Sequence, residues 1–151
     1  MTRIDFYGLP EVRPDARARF SIRLVTRAWR EGLRSVLLLP DDAAREHLAS
    51  ALWAEPGAFL PHTIAGGAET LRAPILLATP PDLRETVLVD DAAGLLVNLT
   101  DAIPDTFAAF ERVAEIVCSD DDARTRARGH YRFYRDRGYP LDYHELGRKR
   151  P

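Results

Sequence analysis

The chain has 151 residues, of which 46% are hydrophobic and 29% charged, the length of one domain with enough apolar surface for a buried core. No apolar run approaches the roughly 18–20 residues of a membrane span, and the opening Met1-Thr2-Arg3-Ile4-Asp5-Phe6 lacks the apolar stretch of a signal peptide. The single cysteine, Cys118, excludes a disulfide framework and a multi-cysteine metal centre, so a cytoplasmic protein without a metal is expected.

The net charge of −2 conceals a division along the chain. Residues 1–122 carry 12 Arg against 20 Asp and Glu, a balance of −8, whereas residues 123–151 carry nine basic residues against three acids, a balance of +6. An acidic body repels nucleic acid, and a basic end attracts an anionic partner of limited size.

Taken in chain order, Arg3 to Tyr7 alternates and reads as a strand ended by Gly8 and Pro10. From Asp15 to Glu31, Ala16, Phe20, Leu24 and Ala28 recur every four residues with Val25 and Trp29 beside them. That spacing predicts an amphipathic helix stopped by Gly32. Ser35 to Leu39 is a continuous apolar run, as in a strand covered on both faces. Pro40-Asp41-Asp42 opens a second helix to about Trp53, its acids near the positive end. Further strands are expected at 74–78, 86–89, 95–99 and 113–118, with a short helix from Pro104 to Phe110. A last helix, capped by Ser119 with Asp120 to Asp122 in its first turn, should run to about Arg137 and stop at Gly138. Alternating strands and helices predict a three-layer α/β/α domain around a mainly parallel sheet. The arrangement is Rossmann-like, over residues 1–144, followed by a basic tail at 145–151.

Several chemistries find no support. No GxxxxGK[ST] loop, GxGxxG turn or GxSxG elbow occurs, and Gly66-Gly67 reads as a loop. His47, His62, His130 and His144 have no spacing suited to one metal on one helix; His47 is expected on a solvated face and His62 in a loop. Asp41 and Asp42 follow a strand, where an open α/β sheet places catalytic or ribose-binding acids. A small enzyme or nucleotide binder using them is the alternative to helix capping. Cys118 reads as a small buried residue.

The last helix carries the pattern that asks for a partner. Ala123, Ala127, Tyr131 and Tyr134 form an inward stripe, and Arg124, Arg128, Arg132 and Arg135 form a row beside it at spacings of four, four and three. Like charges so spaced cost about 0.2–0.5 kcal/mol per pair, and only Asp136 offsets them within the helix. Either these arginines pair with acids of the body, or they serve a carboxylate that enters beside an apolar side chain. A second feature is Trp53, at a helix end, with Phe59 and Leu60 in a proline-bounded loop. Such aromatics either pin a loop or form a protein-docking patch.

Landmarks spread over most of the chain carry a resemblance. They are Phe6-Tyr7, Ala28-Trp29 with Gly32, Leu52-Trp53-Ala54, Phe59-Leu60-Pro61-His62, Ala73-Pro74, Ala127-Arg128, Tyr131-Arg132, Tyr134-Arg135 and Gly138-Tyr139. In order and spacing the chain resembles the chi subunit of bacterial DNA polymerase III holoenzyme. The resemblance implies a non-catalytic adaptor in DNA replication, cofactor-free and located with the replisome. Chi proteins tether the clamp-loader complex to single-stranded DNA-binding protein by holding its acidic C-terminal tail. Carried over by position, Arg128, Tyr131 and Arg132 fall in the tail-binding region, with Val117 on its apolar side; Arg124 and Arg135 belong to the same arginine row. Trp53, Phe59 and Leu60 fall where the family meets the psi subunit or a helicase. The stretch from Leu83 to Gly94 is longer than the family pattern.

Overall fold

The computed structural model describes residues 2–10, 15–54, 62–64, 75–83 and 94–146. Its strands are β1 (Arg3–Gly8), β2 (Ser35–Leu38), β3 (His62–Ile64), β4 (Ile75–Ala78), β5 (Leu95–Asn98), β6 (Arg112–Val117) and β7 (Leu141–Glu145). The helices that cover them are α1 (Ala16–Arg30), α2 (Asp42–Ala54) and α3 (Asp121–Asp136). One seven-stranded sheet runs in the order β3-β4-β2-β5-β6-β1-β7, with every neighbouring pair parallel.

Burial explains the apolar runs. All four residues of β2, β4 and β5 are buried, as parallel strands covered on both faces must be. On one face Leu37, Leu77, Val97 and Ile116 meet Ile22, Val25 and Ala28 of α1 and Leu48 and Leu52 of α2. On the other, Phe6, Val36, Leu76, Leu96 and Val117 meet Phe107 and Tyr134 of α3, with Tyr131 and Phe133 packed against them. These are the three layers that the alternation of elements predicts.

Four details differ from the sequence reading. His62 opens the edge strand β3 instead of lying in a loop. The expected helix from Pro104 to Phe110 is a single 3-10 turn at Phe107–Ala109. Asp120, not Ser119, caps α3: its carboxylate accepts from the Ala123 amide at 3.1 Å, while the Ser119 hydroxyl donates to the Pro10 carbonyl. The first free carboxylate before the helix takes the orphan amide, and Ser119 is spent on the neighbouring loop. Strand β7 was not foreseen: the sheet extends through Glu145, and the Leu146 amide donates to the Gly8 carbonyl at 3.0 Å. The strand expected at 86–89, most of the 83–94 stretch, Gly66-Gly67, and Phe59 and Leu60 lie outside the described residues.

Candidate functional site

Strand register lays out the floor of a surface hollow. Phe6 of β1 pairs with Glu115 of β6 on one side and Tyr143 of β7 on the other; two residues on, Gly8 pairs with Val117 and Glu145. Alternation sends all six positions to the face that α3 covers. Because α3 follows β6 and runs back across it, its own residues form the opposite wall. The hollow, about 460 Å³, is lined by Phe6, Val117, Tyr143 and Glu145 from the sheet and by Arg124, Ala127, Arg128, Tyr131 and Arg132 from α3.

The apolar part is aromatic. Phe6 is fully buried; the Tyr131 ring lies 5.4 Å from it, tilted at 52°, and the Tyr143 ring 6.2 Å away, nearly parallel at 12°. Tyr143 is 47% exposed, so its ring is available to anything that enters. Gly8 makes room for it: a Cβ there would stand 2.6 Å from the Tyr143 hydroxyl.

The charged part is unspent. Arg124, Arg128 and Arg132 are exposed, and among the described residues none of the three forms a salt bridge, whereas Arg126 pairs with Asp101 and Arg135 with Asp136. Of the two readings of the row, internal neutralisation is therefore not what these three arginines do. Arg135 stands apart: it is turned to its neighbour Asp136 at 3.2 Å and does not line the hollow.

Beneath the hollow, a buried carboxylate fixes the helix. Glu115, 5% exposed in the middle of the sheet, accepts from the Tyr134 hydroxyl at 2.8 Å and the Asn98 amide at 3.1 Å. His130 Nδ1 lies 3.1 Å from the same carboxylate, and its Nε2 lies 3.0 Å from the Asp101 carbonyl. Both neighbours are acceptors, so both contacts are satisfied together when both ring nitrogens donate, as they do in the imidazolium. The hydrogen bond to Glu115 raises the His130 pKa above 6.5 against the opposing effect of burial. Burial, reinforced by the Glu115 charge, drives the Tyr134 hydroxyl pKa upward. His130 and Tyr134, one turn apart, thus set the rotation of α3 that turns Arg128, Tyr131 and Arg132 to the hollow.

The other candidates are placed as follows. Asp41 caps α2, accepting from the Ala44 amide at 2.8 Å, and Asp42 pairs with Arg45 at 3.0 Å; both carboxylates are occupied by their own helix. Cys118 is buried, and burial raises its thiol pKa, as expected of a core residue. His47 is exposed on α2. Trp53 lies in the last turn of α2. No group of three or more His, Cys, Asp or Glu among the described residues could hold a metal ion, and none of the described helices is long and apolar enough to cross a membrane. Sequence reasoning missed Phe6 as floor, Tyr143 and Glu145 as wall, and Glu115 with His130 as the anchor. The alternation of Leu141 to Glu145 after the Gly138-Tyr139-Pro140 turn was the available signal for β7.

Comparison with known proteins agrees with this architecture. The family described as DNA polymerase III chi subunit, HolC, matches residues 1–142. The DNA polymerase III subunit chi of Pseudomonas aeruginosa is 40% identical over 151 residues, covering 98% of this chain and 99% of that protein. That of Escherichia coli K12 is 30% identical over 76% of this chain and 75% of its own length, and that of Haemophilus influenzae 28% identical over 94% and 96%. With its landmarks, sheet and length all accounted for, the chain belongs to the DNA polymerase III chi subunit family.

Proposed function

We propose that the hollow beside α3 holds the acidic C-terminal tail of single-stranded DNA-binding protein, and that the protein acts without catalysis as a tether between that protein and the polymerase's clamp loader. The observation that carries this reading is the set of three unpaired arginines beside a half-open aromatic floor. A chain end with an aromatic side chain and a free carboxylate needs both surfaces at once.

Arg128 and Arg132 take the carboxylates of the tail, Arg124 adds attraction, and the terminal ring lies between Tyr131 and Tyr143, beside Val117 and above the buried Phe6. Charge-assisted bonds to arginine contribute about 1.5–3 kcal/mol each, and burial of one aromatic ring roughly 1.5–3 kcal/mol. After the losses of association, micromolar binding is expected. That is sufficient, because several tails offered on one coated strand multiply single weak contacts. Trp53, Phe59 and Leu60 are proposed as the second contact, to the psi subunit or a helicase, which would place the protein in the cytoplasm with the replisome.

Titration calorimetry with a tail peptide tests the assignment. Arg128→Ala is expected to weaken binding at least about tenfold with an unchanged thermal midpoint, as loss of one charge-assisted bond requires. Raising the salt concentration should weaken wild-type binding as well, because the arginines are solvent-exposed. Undiminished affinity of Arg128→Ala would reject the arginine role.

A further inference from the structure

The hollow is not cationic throughout. Glu145 lines it together with the three arginines, is exposed, and forms no salt bridge or side-chain hydrogen bond among the described residues. A free carboxylate in a site for acidic chains reduces affinity for them; what it offers in return is discrimination. We propose that Glu145 is a specificity-determining residue that disfavours chain ends carrying an acid directly before the terminal residue relative to those whose acids lie farther back. The inference rests on the tail-binding reading of the hollow.

Register orders the charges. Glu145 pairs with Gly8, and Gly8 with Val117, at the carboxyl edge of the sheet; Tyr143 pairs with Phe6 one step further in. That step of two residues is about 6.6 Å. Helix α3 starts at this same edge and runs back over the sheet, so Arg124 lies nearest Glu145, and Arg128 and Arg132 lie about one and two turns deeper. Tyr143 marks the mixed end: its hydroxyl feels both the Glu145 and the Arg124 charges. The hollow therefore has a purely cationic inner end and an outer end where Arg124 and Glu145 offset one another.

A ligand whose terminal carboxylate is drawn to Arg128 and Arg132 sets its terminal ring between Tyr131 and Tyr143 and leaves the hollow at the outer end, past Glu145. The penultimate side chain is then the one that faces the glutamate. If it is uncharged, nothing is lost; if it is an aspartate, two carboxylates share the outer end.

Two fluorescent peptides of identical composition and charge test this by anisotropy at low salt. One has three aspartates, two alanines and a C-terminal phenylalanine in that order; the other is permuted so that two aspartates directly precede the phenylalanine. Wild type is expected to prefer the first by about fivefold, the upper range for a partly solvated charge–charge contact. Glu145→Gln should reduce that preference to about twofold or less, chiefly by improving the second peptide, and Glu145→Asp should retain it. An unchanged preference in Glu145→Gln overturns the proposal while leaving tail binding intact. Failure of the wild type to bind either peptide overturns the tail-binding reading itself, and this inference with it.

Discussion

Glu115 is a carboxylate among the buried apolar residues of β6, held by Tyr134, Asn98 and His130. A buried polar group without partners is costly; here three hydrogen-bonding partners satisfy the carboxylate and turn it into the anchor of α3. Of these partners, His130 is the one that changes charge near neutral pH. Because its folded pKa is raised above 6.5, its contribution to stability is complete below the unfolded value and is lost as pH rises through the folded one. Urea unfolding should therefore show stability falling as pH is raised above about 6.5 through the folded-state pKa of His130. His130→Gln should be flat across that window and less stable at pH 6 by about 1–3 kcal/mol, the cost of losing a hydrogen bond to a charged group. A wild-type profile flat across the same window would contradict the ion-pair assignment. Glu115 and His130 were illegible in the sequence for a physical reason. A polar residue in a buried strand reads as an interruption until the helix that satisfies it is docked across the sheet.

At the scale of elements, β7 and α3 make the site together, and the two differ in legibility. Helix α3 announces itself: acids in the first turn, a four-four-three arginine row, an inward stripe of Ala123, Ala127, Tyr131 and Tyr134, and Gly138 at its end, with φ of +80°. Each signal is local, and the structure places all but Arg135 where periodicity does, that residue being turned to Asp136. The central strands were legible too, as continuous apolar runs. Strand β7 was not, because Leu141 to Glu145 is a half-exposed edge strand; it owes its conformation to pairing with β1 at the opposite end of the chain. Edge strand β3 was missed in the same way, its three residues being too few to show alternation. The dependence of the site on β7 is testable through Gly8. In Gly8→Ala the new Cβ meets the far end of the Tyr143 side chain, which can swing aside. The expected result is a small loss of stability, about 1 kcal/mol as for mild overpacking, accompanied by a clear loss of tail affinity and a changed near-ultraviolet tyrosine signal. Unaltered affinity would show that Tyr143 is not part of the binding surface.

At the scale of the whole molecule, charge is divided along the chain. The acidic body, −8 over residues 1–122, discourages direct contact with a phosphate backbone. Among the described residues of the basic end, three arginines without a salt bridge surround one aromatic hollow of about 460 Å³, a volume in the range of ligand pockets. The sheet's contribution is positional: it carries Phe6, Val117, Tyr143 and Glu145 in fixed register under α3, which under the proposed function leaves the ordering cost of binding mainly with the tail. The most direct measurement is capture of the purified protein by single-stranded DNA already coated with its binding protein, comparing the coating protein with an intact C-terminus and one lacking its last residues. Retention on the intact coat and loss on the truncated one is the predicted result; equal retention on both would contradict the account.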